Sequence, residues 1–202
     1  TNSDLVGAGG NVQSSKPTSF VQSYIAFKRL MLQPVRDTSG NIVTVITANA
    51  CYRKKALDAI NGFDQEFPYS GGEDLDLSLR LQILGSLGYN KNSTVFHFHR
   101  PSLKALIKQH IFYGRGVYLA CKKNNFEYKK LKFYKPNIIG FIRYLFFVFS
   151  RMFTVSLPEF WNKKLSLNYW IPYATLDIIR KLSFSVGATL EYYNFHKDHH
   201  DR

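Results

Sequence analysis

The 202-residue chain is poor in cysteine and contains only Cys51 and Cys121. Two cysteines are too few for a small disulfide-stabilised scaffold, and they lack the C-x-x-C spacing of a zinc site. We interpret both as reduced packing residues, as in a cytosolic compartment. A single bridge between them stays open at the level of sequence.

Long apolar runs and a signal peptide are also missing. No stretch reaches the ~18–20 apolar residues that a membrane-spanning helix needs. The first ten residues have neither the basic nor the apolar region of a secretory signal. The chain begins without methionine and soon enters a loop-like glycine stretch, Gly7–Gly10, so we expect a fragment or a processed piece of a longer protein. With 45% hydrophobic residues it can still bury a core, which excludes low-complexity disorder and collagen-like repeats.

Acidic residues are scarce, and the resulting positive charge is unevenly distributed. The chain has 14 acidic and 27 basic side chains, a formal charge of +13. Residues 101–202 contain 17 of the basic side chains and 22 of the 32 aromatic ones. Positive charge beside large aromatic rings is typical of surfaces that meet phosphate groups or anionic lipid headgroups. Nucleic acid and membrane both remain possible partners on this evidence.

The basic, aromatic half contains one amphipathic segment. Residues 136–158 are rich in apolar side chains, and their only charged residues, Arg143 and Arg151, lie on one side of a helix. A lysine-rich stretch, Lys122–Lys135, precedes it. This order is typical of a helix that lies in a membrane interface next to a polybasic segment. We therefore predict a basic, aromatic helical extension over residues 124–202 that associates with a membrane surface.

Local patterns predict the elements of the first half. β-Branched residues predict a strand over residues 42–47, and helix-forming composition predicts a short helix over 53–60 that stops at Gly62. A short strand is predicted over 93–98, and a helix over 102–123.

The run that begins at Glu73 fits two structures. Its alternating leucines fit a strand, but leucines on two opposite sides and two acids in the first turn fit a buried helix. We favour the helix.

Four short motifs follow one another along the chain: Gly62–Phe67, Gly71–Asp74, His97–Arg100 and Tyr113–Gly116. Adjacent carboxylates after a glycine turn can hold a general base, and imidazole near carboxylate can hold a divalent cation. Each motif alone has a simpler explanation, since acids commonly complement a helix N-terminus and His-x-His on a strand commonly packs.

In this order the motifs resemble the C-terminal half of the catalytic domain of family 2 glycosyltransferases, the inverting GT-A enzymes. Residues 47–54 match an asparagine-containing strand end and arginine-rich turn of that family, and Gly62–Phe67 matches Gly-Phe-Asp-Glu-x-Phe with Gln65 in place of Glu. Glu73–Leu81 matches Glu-Asp-x-Asp-Leu-x-x-Arg-Leu without a break. The resemblance covers about residues 4–123. It implies an α/β fold, a partial GT-A (Rossmann-like) domain over residues 1–123, followed by the mainly α-helical extension.

The resemblance also implies roles for individual residues. It makes Asp74 the catalytic base that takes a proton from the acceptor hydroxyl, with inversion at the anomeric carbon. Divalent metal, Mn or Mg, is expected at the diphosphate. The other implied site residues are Glu73, Asn49, Gly71 and Gly72 for the acceptor, Arg100 and Arg115 for the donor diphosphate, and His97 or His99 for the metal.

One part of the family pattern is missing. Neither a nucleotide-binding half nor an Asp-x-Asp metal motif precedes residue 47. We expect a nucleotide-binding half in the same longer chain or in a second subunit. The expected partners are a nucleotide-sugar donor, a glycan or lipid-linked acceptor, and the cytoplasmic face of the cell membrane, bound peripherally or monotopically.

Two other classes of function remain in view. A non-catalytic membrane-surface scaffold or pseudoenzyme would explain the basic, aromatic half alone. A nucleic-acid-binding module would explain the charge, but the sequence has no RNP, zinc-finger or KH signature, and its basic excess lies beside an apolar segment. We therefore expect no nucleic-acid partner.

Overall fold

A three-stranded mixed sheet forms the centre of the first half. The computed structural model describes residues 4–30, 34–68, 70–127, 137–151 and 167–200. Strand β1 (Leu5–Ser14) lies in the middle of this sheet, antiparallel to β4 (Ala50–Tyr52) and parallel to β5 (Ser86–His97). The predicted strand over 93–98 is thus the end of a longer strand, because pairing with β1 extends it through the polar residues before 93.

A small hairpin and a 3-10 turn precede β4. Strands β2 (Val35–Arg36) and β3 (Ile42–Thr44) pair antiparallel, and the 3-10 turn covers Thr47–Asn49. The predicted strand over 42–47 therefore ends early. Its last side chain, Thr44, is buried and its hydroxyl is 2.9 Å from that of Ser78, so the strand ends where it contacts a helix.

Six helices complete the described part of the chain. They are α1 (Phe20–Lys28), α2 (Lys54–Ala59), α3 (Glu73–Leu81), α4 (Leu103–Lys123), α5 (Ile138–Arg151) and α6 (Leu167–His200). The predicted helices at 53–60, from Glu73 and at 102–123 are confirmed, the last with Ser102 as its N-cap. The structure is thus an α/β unit followed by a helical C-terminal segment, as predicted.

Leucines of α3 fasten that helix to the sheet. Leu77 and Leu81 are fully buried in a cluster with Val6 of β1 and Leu87 of β5. Leu75, on another side of α3, packs against Val43 and the end of α4. Burial on two sides explains why the leucine pattern also fits a strand, and it fixes the N-terminus of α3 relative to the sheet.

Helix α6 packs along α4 and α1 rather than standing apart. An apolar cluster joins Tyr24 of α1, Leu106 of α4 and Tyr173 of α6. The backbones of α4 and α6 approach closely where Gly114 meets Phe184 and where Gly187 meets Ile111, since an added Cβ at either glycine would overlap a backbone oxygen. The predicted boundary at residue 123 therefore separates helices that share one core.

Helix α5 exposes apolar side chains. Ile138, Ile139, Ile142 and Phe146 are all exposed, the last at 73%. In the described ranges, no helix combines the length and the apolar character needed to cross a membrane. Most of the lysine-rich stretch lies outside the described residues, since 128–136 are not among them.

A buried charge cluster holds α6 to α1. Asp177 is 3% exposed and accepts hydrogen bonds from the Tyr24 hydroxyl at 2.9 Å and from Arg180 at 3.0 Å. Lys181 lies 2.7 Å from its other oxygen. Burial alone would raise the pKa of Asp177, but the nearby Arg180 and Lys181 outweigh it and hold that pKa below its usual value.

Replacing this carboxylate should destabilise the fold strongly. We expect Asp177→Asn to lower the free energy of unfolding by about 3 kcal/mol near neutral pH, because it leaves buried Arg180 without its counter-charge. Since folding lowers this pKa, the stabilisation is present above the unfolded-state value of about 3.9 and is lost as the pH falls below it. Urea unfolding at neutral and acidic pH measures both effects.

The matched control is Asp58→Asn. Asp58 pairs with Lys54 at 2.7 Å, but both side chains are largely exposed, so the change should cost no more than about 0.5 kcal/mol. Equal losses in the two variants would contradict the role of the buried cluster.

Candidate active site

A cleft of about 870 Å³ lies where four segments meet. Most of its walls are residues 44–48 at and after the end of β3, residues 70–75 at the start of α3, residues 97–100 at the end of β5, and one side of α4 with Gln109 and Tyr113. Val35 of β2 and Phe184 of α6 also line it. The structure thus brings together the two predicted motifs Gly71–Asp74 and His97–Arg100. The volume is in the upper part of the ~300–1,000 Å³ range of small-molecule sites.

The Gly71–Gly72 turn places α3 at the cleft. Both glycines have positive φ, 150° and 94°, and Gly72 is the N-cap of the helix. Helix α4 passes so close that a Cβ on Gly116 would overlap the carbonyl oxygen of Gly71, and one on Gly72 would overlap Gly116. Glycine is therefore needed on both sides of this contact.

Asp74 is a half-buried carboxylate at the wall of the cleft. The Thr47 hydroxyl donates to its Oδ1 at 2.9 Å, and the Thr47 backbone N–H lies 3.4 Å from Oδ2. Burial raises the pKa of Asp74, and the two contacts with Thr47 oppose that rise only in part. Asp74 therefore binds a proton more readily than an ordinary aspartate.

Glu73 lies beside Asp74 and closes the turn. Its carboxylate accepts a hydrogen bond from the backbone N–H of Gly71. Burial raises the pKa of Glu73, and the negative charge of Asp74 raises it further. The pair thus gives the cleft two carboxylates with raised pKa values.

The next acid in the run, Asp76, has a structural role. It is 2% exposed, accepts from Arg80 at 2.7 Å, and accepts from Asn124 at 2.8 Å. Arg80 also donates to the carbonyls of Ile60 and Gly62. These bonds join α3 to the end of α2 and to the end of α4.

Asn49, predicted to shape the acceptor pocket, is placed elsewhere. Its side-chain amide donates to the carbonyls of Asn11 at 2.9 Å and Ser93 at 3.0 Å. These carbonyls flank the register shift between β1 and β5 after Gly10. The structure gives Asn49 a bracing contact between two strands, and it is the neighbouring residues Thr47 and Ala48 that line the cleft.

The two predicted diphosphate arginines are separated. Arg100 is exposed and lines the cleft. Arg115 does not line it, and its Nε donates to Glu191 of α6 at 2.8 Å. Arg115 thus points to α6, and its position gives no support to its predicted role at the diphosphate.

The two predicted metal ligands are neighbours at the end of β5. The rings of His97 and His99 lie 5.0 Å apart between centroids, and Nε2 of His99 is 2.8 Å from the Ser14 hydroxyl. Burial lowers the pKa of His99, and His97 lowers it further, so both disfavour the protonated ring.

These imidazoles alone do not fit an Mn or Mg site. Both ions prefer oxygen ligands, and within the described ranges no three His, Cys, Asp or Glu side chains lie together as a metal-binding group.

Three residues at the cleft were not predicted to have a role. Thr47 holds Asp74, and the Tyr113 hydroxyl accepts from Gln109 at 2.6 Å. Burial raises the pKa of Tyr113 to about 12, and Asp74 and Glu73 contribute to this rise. Thr47 and Tyr113 lie inside motifs that resemble the family, so their positions in those motifs could have identified them as site residues. Gln109 had only its spacing, one helical turn before Tyr113.

Comparison with protein families identifies a match. The family model described as Glycosyl transferase family group 2 matches residues 11–186, from β1 into α6. A comparison with curated proteins gives no match.

Removing the Thr47 hydroxyl should raise the pKa of Asp74. We expect this direction for Thr47→Val, because the hydrogen bond that stabilises the ionised carboxylate is lost. Titration of the Asp74 side-chain carbon by NMR measures it directly. The matched control is Thr94→Val, at an exposed threonine whose hydroxyl accepts from Asn11. An unchanged or lower pKa of Asp74 in Thr47→Val would show that the Thr47 hydroxyl does not set it.

Proposed function

Because the chain belongs to glycosyl transferase family group 2, we propose that it transfers a sugar from a nucleotide-sugar donor to a hydroxyl group of a glycan or lipid-linked acceptor. The resemblance drawn from the motifs is confirmed by this match, as is the α/β class with its helical C-terminal segment. The finer proposal is inversion at the anomeric carbon with Asp74 as the general base. One observation carries it, the position of Asp74 as a half-buried carboxylate with raised pKa at the wall of the cleft.

The proposed step needs one proton acceptor and one leaving group. The acceptor oxygen attacks the anomeric carbon from the face opposite the diphosphate, and its proton passes to the Asp74 carboxylate. The bond between the anomeric carbon and the diphosphate oxygen breaks, and its electron pair leaves with the nucleotide. A carboxylate with a raised pKa is a stronger base than an ordinary one, which suits it to this transfer.

Other cleft residues have supporting roles in the proposal. Glu73 and the Gly71–Gly72 turn would orient the acceptor, because they form the wall next to Asp74. Arg100 would lie beside the donor diphosphate, since an exposed guanidinium at the cleft can pair with phosphate oxygens.

Binding of the nucleotide-sugar donor and of a metal would require groups beyond those of the described residues. A nucleotide-binding half, in the same longer chain or a second subunit, is part of the proposal. A bound Mn or Mg ion remains a prediction. His97 or His99 would supply one of its ligands and other groups the rest, and the ion would neutralise charge on the diphosphate.

A membrane surface is the proposed location of the reaction. The exposed apolar side chains Ile138, Ile139, Ile142 and Phe146 of α5 support it, together with the neighbouring exposed Arg143. The same observation would also suit a non-catalytic membrane scaffold, which differs in not needing Asp74.

Loss of the Asp74 carboxylate should abolish transfer without unfolding the protein. We expect Asp74→Asn to lower turnover about 10²–10⁴-fold, the usual contribution of a general base. Release of UDP or GDP from a panel of nucleotide sugars, in the presence of the nucleotide-binding half, measures it. Because the ionised form is required and burial raises its pKa, wild-type turnover should fall as acid protonates Asp74.

The control is Asp58→Asn, an exposed aspartate on α2. It should keep wild-type turnover. A well-folded Asp74→Asn with full turnover would overturn the general-base assignment. Absence of turnover in the wild type with every donor would favour a scaffold or pseudoenzyme.

A methyl group at Gly116 should also reduce turnover. We expect Gly116→Ala to lower it by about 100-fold, because pushing the Gly71–Gly72 turn away displaces Glu73 and Asp74. The same nucleotide-release assay applies, with circular dichroism to show that the helices persist. Gly88→Ala is the control, since its Cβ would come no closer than 3.2 Å to a methyl group of Leu5 and 3.6 Å to the Cβ of Ala8. Wild-type turnover in Gly116→Ala would contradict the role of this contact.

A further inference from the structure

Burial alternates from residue to residue along the last part of β5 and just beyond its end. Val95, His97 and His99 are half-buried or buried, whereas Phe96, Phe98 and Arg100 are exposed. Phe96 is 66% exposed and Phe98 is 79% exposed, which is high for phenylalanine. Residues two apart on an extended chain lie about 6.6–6.8 Å apart on one face. The two rings and Arg100 therefore form a row, which we call the Phe96–Arg100 row.

This row begins inside the cleft. Phe98 and Arg100 both line the cleft whose opposite segments include Glu73 and Asp74, and Phe96 lies further along the strand. Val35 of the β2–β3 hairpin is a second exposed apolar side chain of the same cleft, at 43%. An apolar floor beside a few convergent polar groups is the usual composition of a ligand site.

We infer that Phe98, continued by Phe96, is the platform on which the sugar rings of a saccharide acceptor stack. This inference rests on the glycosyl transfer proposed above. A pyranose carries its hydroxyl groups around the rim and C–H groups on its faces, and an aromatic face with its negative quadrupole attracts such C–H groups. With one sugar on Phe98, its terminal hydroxyl can reach the carboxylates, and the next sugar of the chain lies over Phe96.

Continuity with the cleft favours this occupant over a membrane. The exposed apolar side chains of α5 belong to a different element, whereas Phe98 shares its cleft with the proposed base. The inferred acceptor is therefore a saccharide chain of at least two sugars, bound through ring faces rather than through charge.

Binding of saccharides without donor tests the inference directly. Saturation-transfer NMR on the full chain uses cellotetraose, maltotetraose and chitotetraose as probes. We expect at least one tetrasaccharide to receive saturation at its C–H protons. Phe98→Ala should raise its Kd by about tenfold, the order expected for a lost aromatic contact, and Phe98→Trp should restore binding. Phe96→Ala should weaken binding of the tetrasaccharide but not of the matching monosaccharide, which covers Phe98 alone.

Phe146→Ala is the matched control, a phenylalanine of similar exposure on α5 that does not line the cleft. It should leave saccharide binding unchanged and lower co-sedimentation with vesicles of phosphatidylcholine and phosphatidylglycerol. If the wild type binds none of the three tetrasaccharides, the inference is overturned. Unchanged saccharide binding in Phe98→Ala would also overturn it. If that variant instead lost vesicle binding, the Phe98 ring would be assigned to a membrane.

The outcomes separate this inference from the proposed function. Donor-free binding involves no proton transfer, so saccharide binding and turnover are separate measurements. Binding that depends on Phe98, in a protein whose turnover is unaffected by Asp74→Asn, would overturn the general-base proposal alone. Turnover that depends on Asp74, with binding indifferent to Phe98, would overturn the platform alone.

Discussion

The contact between Gly116 and the Gly71–Gly72 turn determines where the cleft carboxylates lie. Neither side of this contact has room for a Cβ, so the turn rests on the backbone of α4. Two residues earlier, Gly114 lies equally close to Phe184 of α6. At 100° per residue, positions two apart point to nearly opposite sides of a helix. The Gly-x-Gly spacing therefore lets α4 pack closely against the turn on one side and against α6 on the other. Arg115, between the two glycines, donates a hydrogen bond to Glu191 of α6.

The acids of α3 show how one helix serves two purposes. Asp74 and Asp76 are two residues apart, so one faces the cleft and the other faces the interior. Asp76 is buried with Arg80 and Asn124, which a buried charge requires. For Asp74 the main influences on its pKa are burial and the Thr47 contacts, and the net effect is a rise. The structural acid is thus neutralised by a cation, whereas the cleft acid keeps its affinity for a proton.

Sequence patterns are informative where contacts are local or where the motif itself does the packing. They predict α2, α3 and α4 because caps, helix-forming composition and leucine spacing act within each segment. They also predict that Gly71–Asp74 and His97–Arg100 belong to one site, but through the family resemblance, since no local rule brings segments that far apart together. The class of transferase follows from the same motifs.

Other residues depend on partners that local patterns do not reveal. Asn49 braces a register shift that exists only once β1 and β5 pair, and the partner of Arg115 lies on α6, far along the chain. Phe98 lies between two histidines, and only the structure shows that its ring is exposed while theirs are half-buried or buried.

Helix α6 is fixed at two places, and this makes the C-terminal segment part of the framework of the cleft. Near its first third, Asp177 is buried with Tyr24 and Arg180, and further along Glu191 pairs with Arg115. Fourteen residues of helix separate the two acids, a span of about 21 Å. Sliding or rotating α6 would separate Glu191 from Arg115 of α4 and buried Asp177 from the Tyr24 hydroxyl of α1, and losing such partners is costly. The Gly114 contact then transmits that fixed position to α4, and Gly116 transmits it to the turn that carries Glu73 and Asp74.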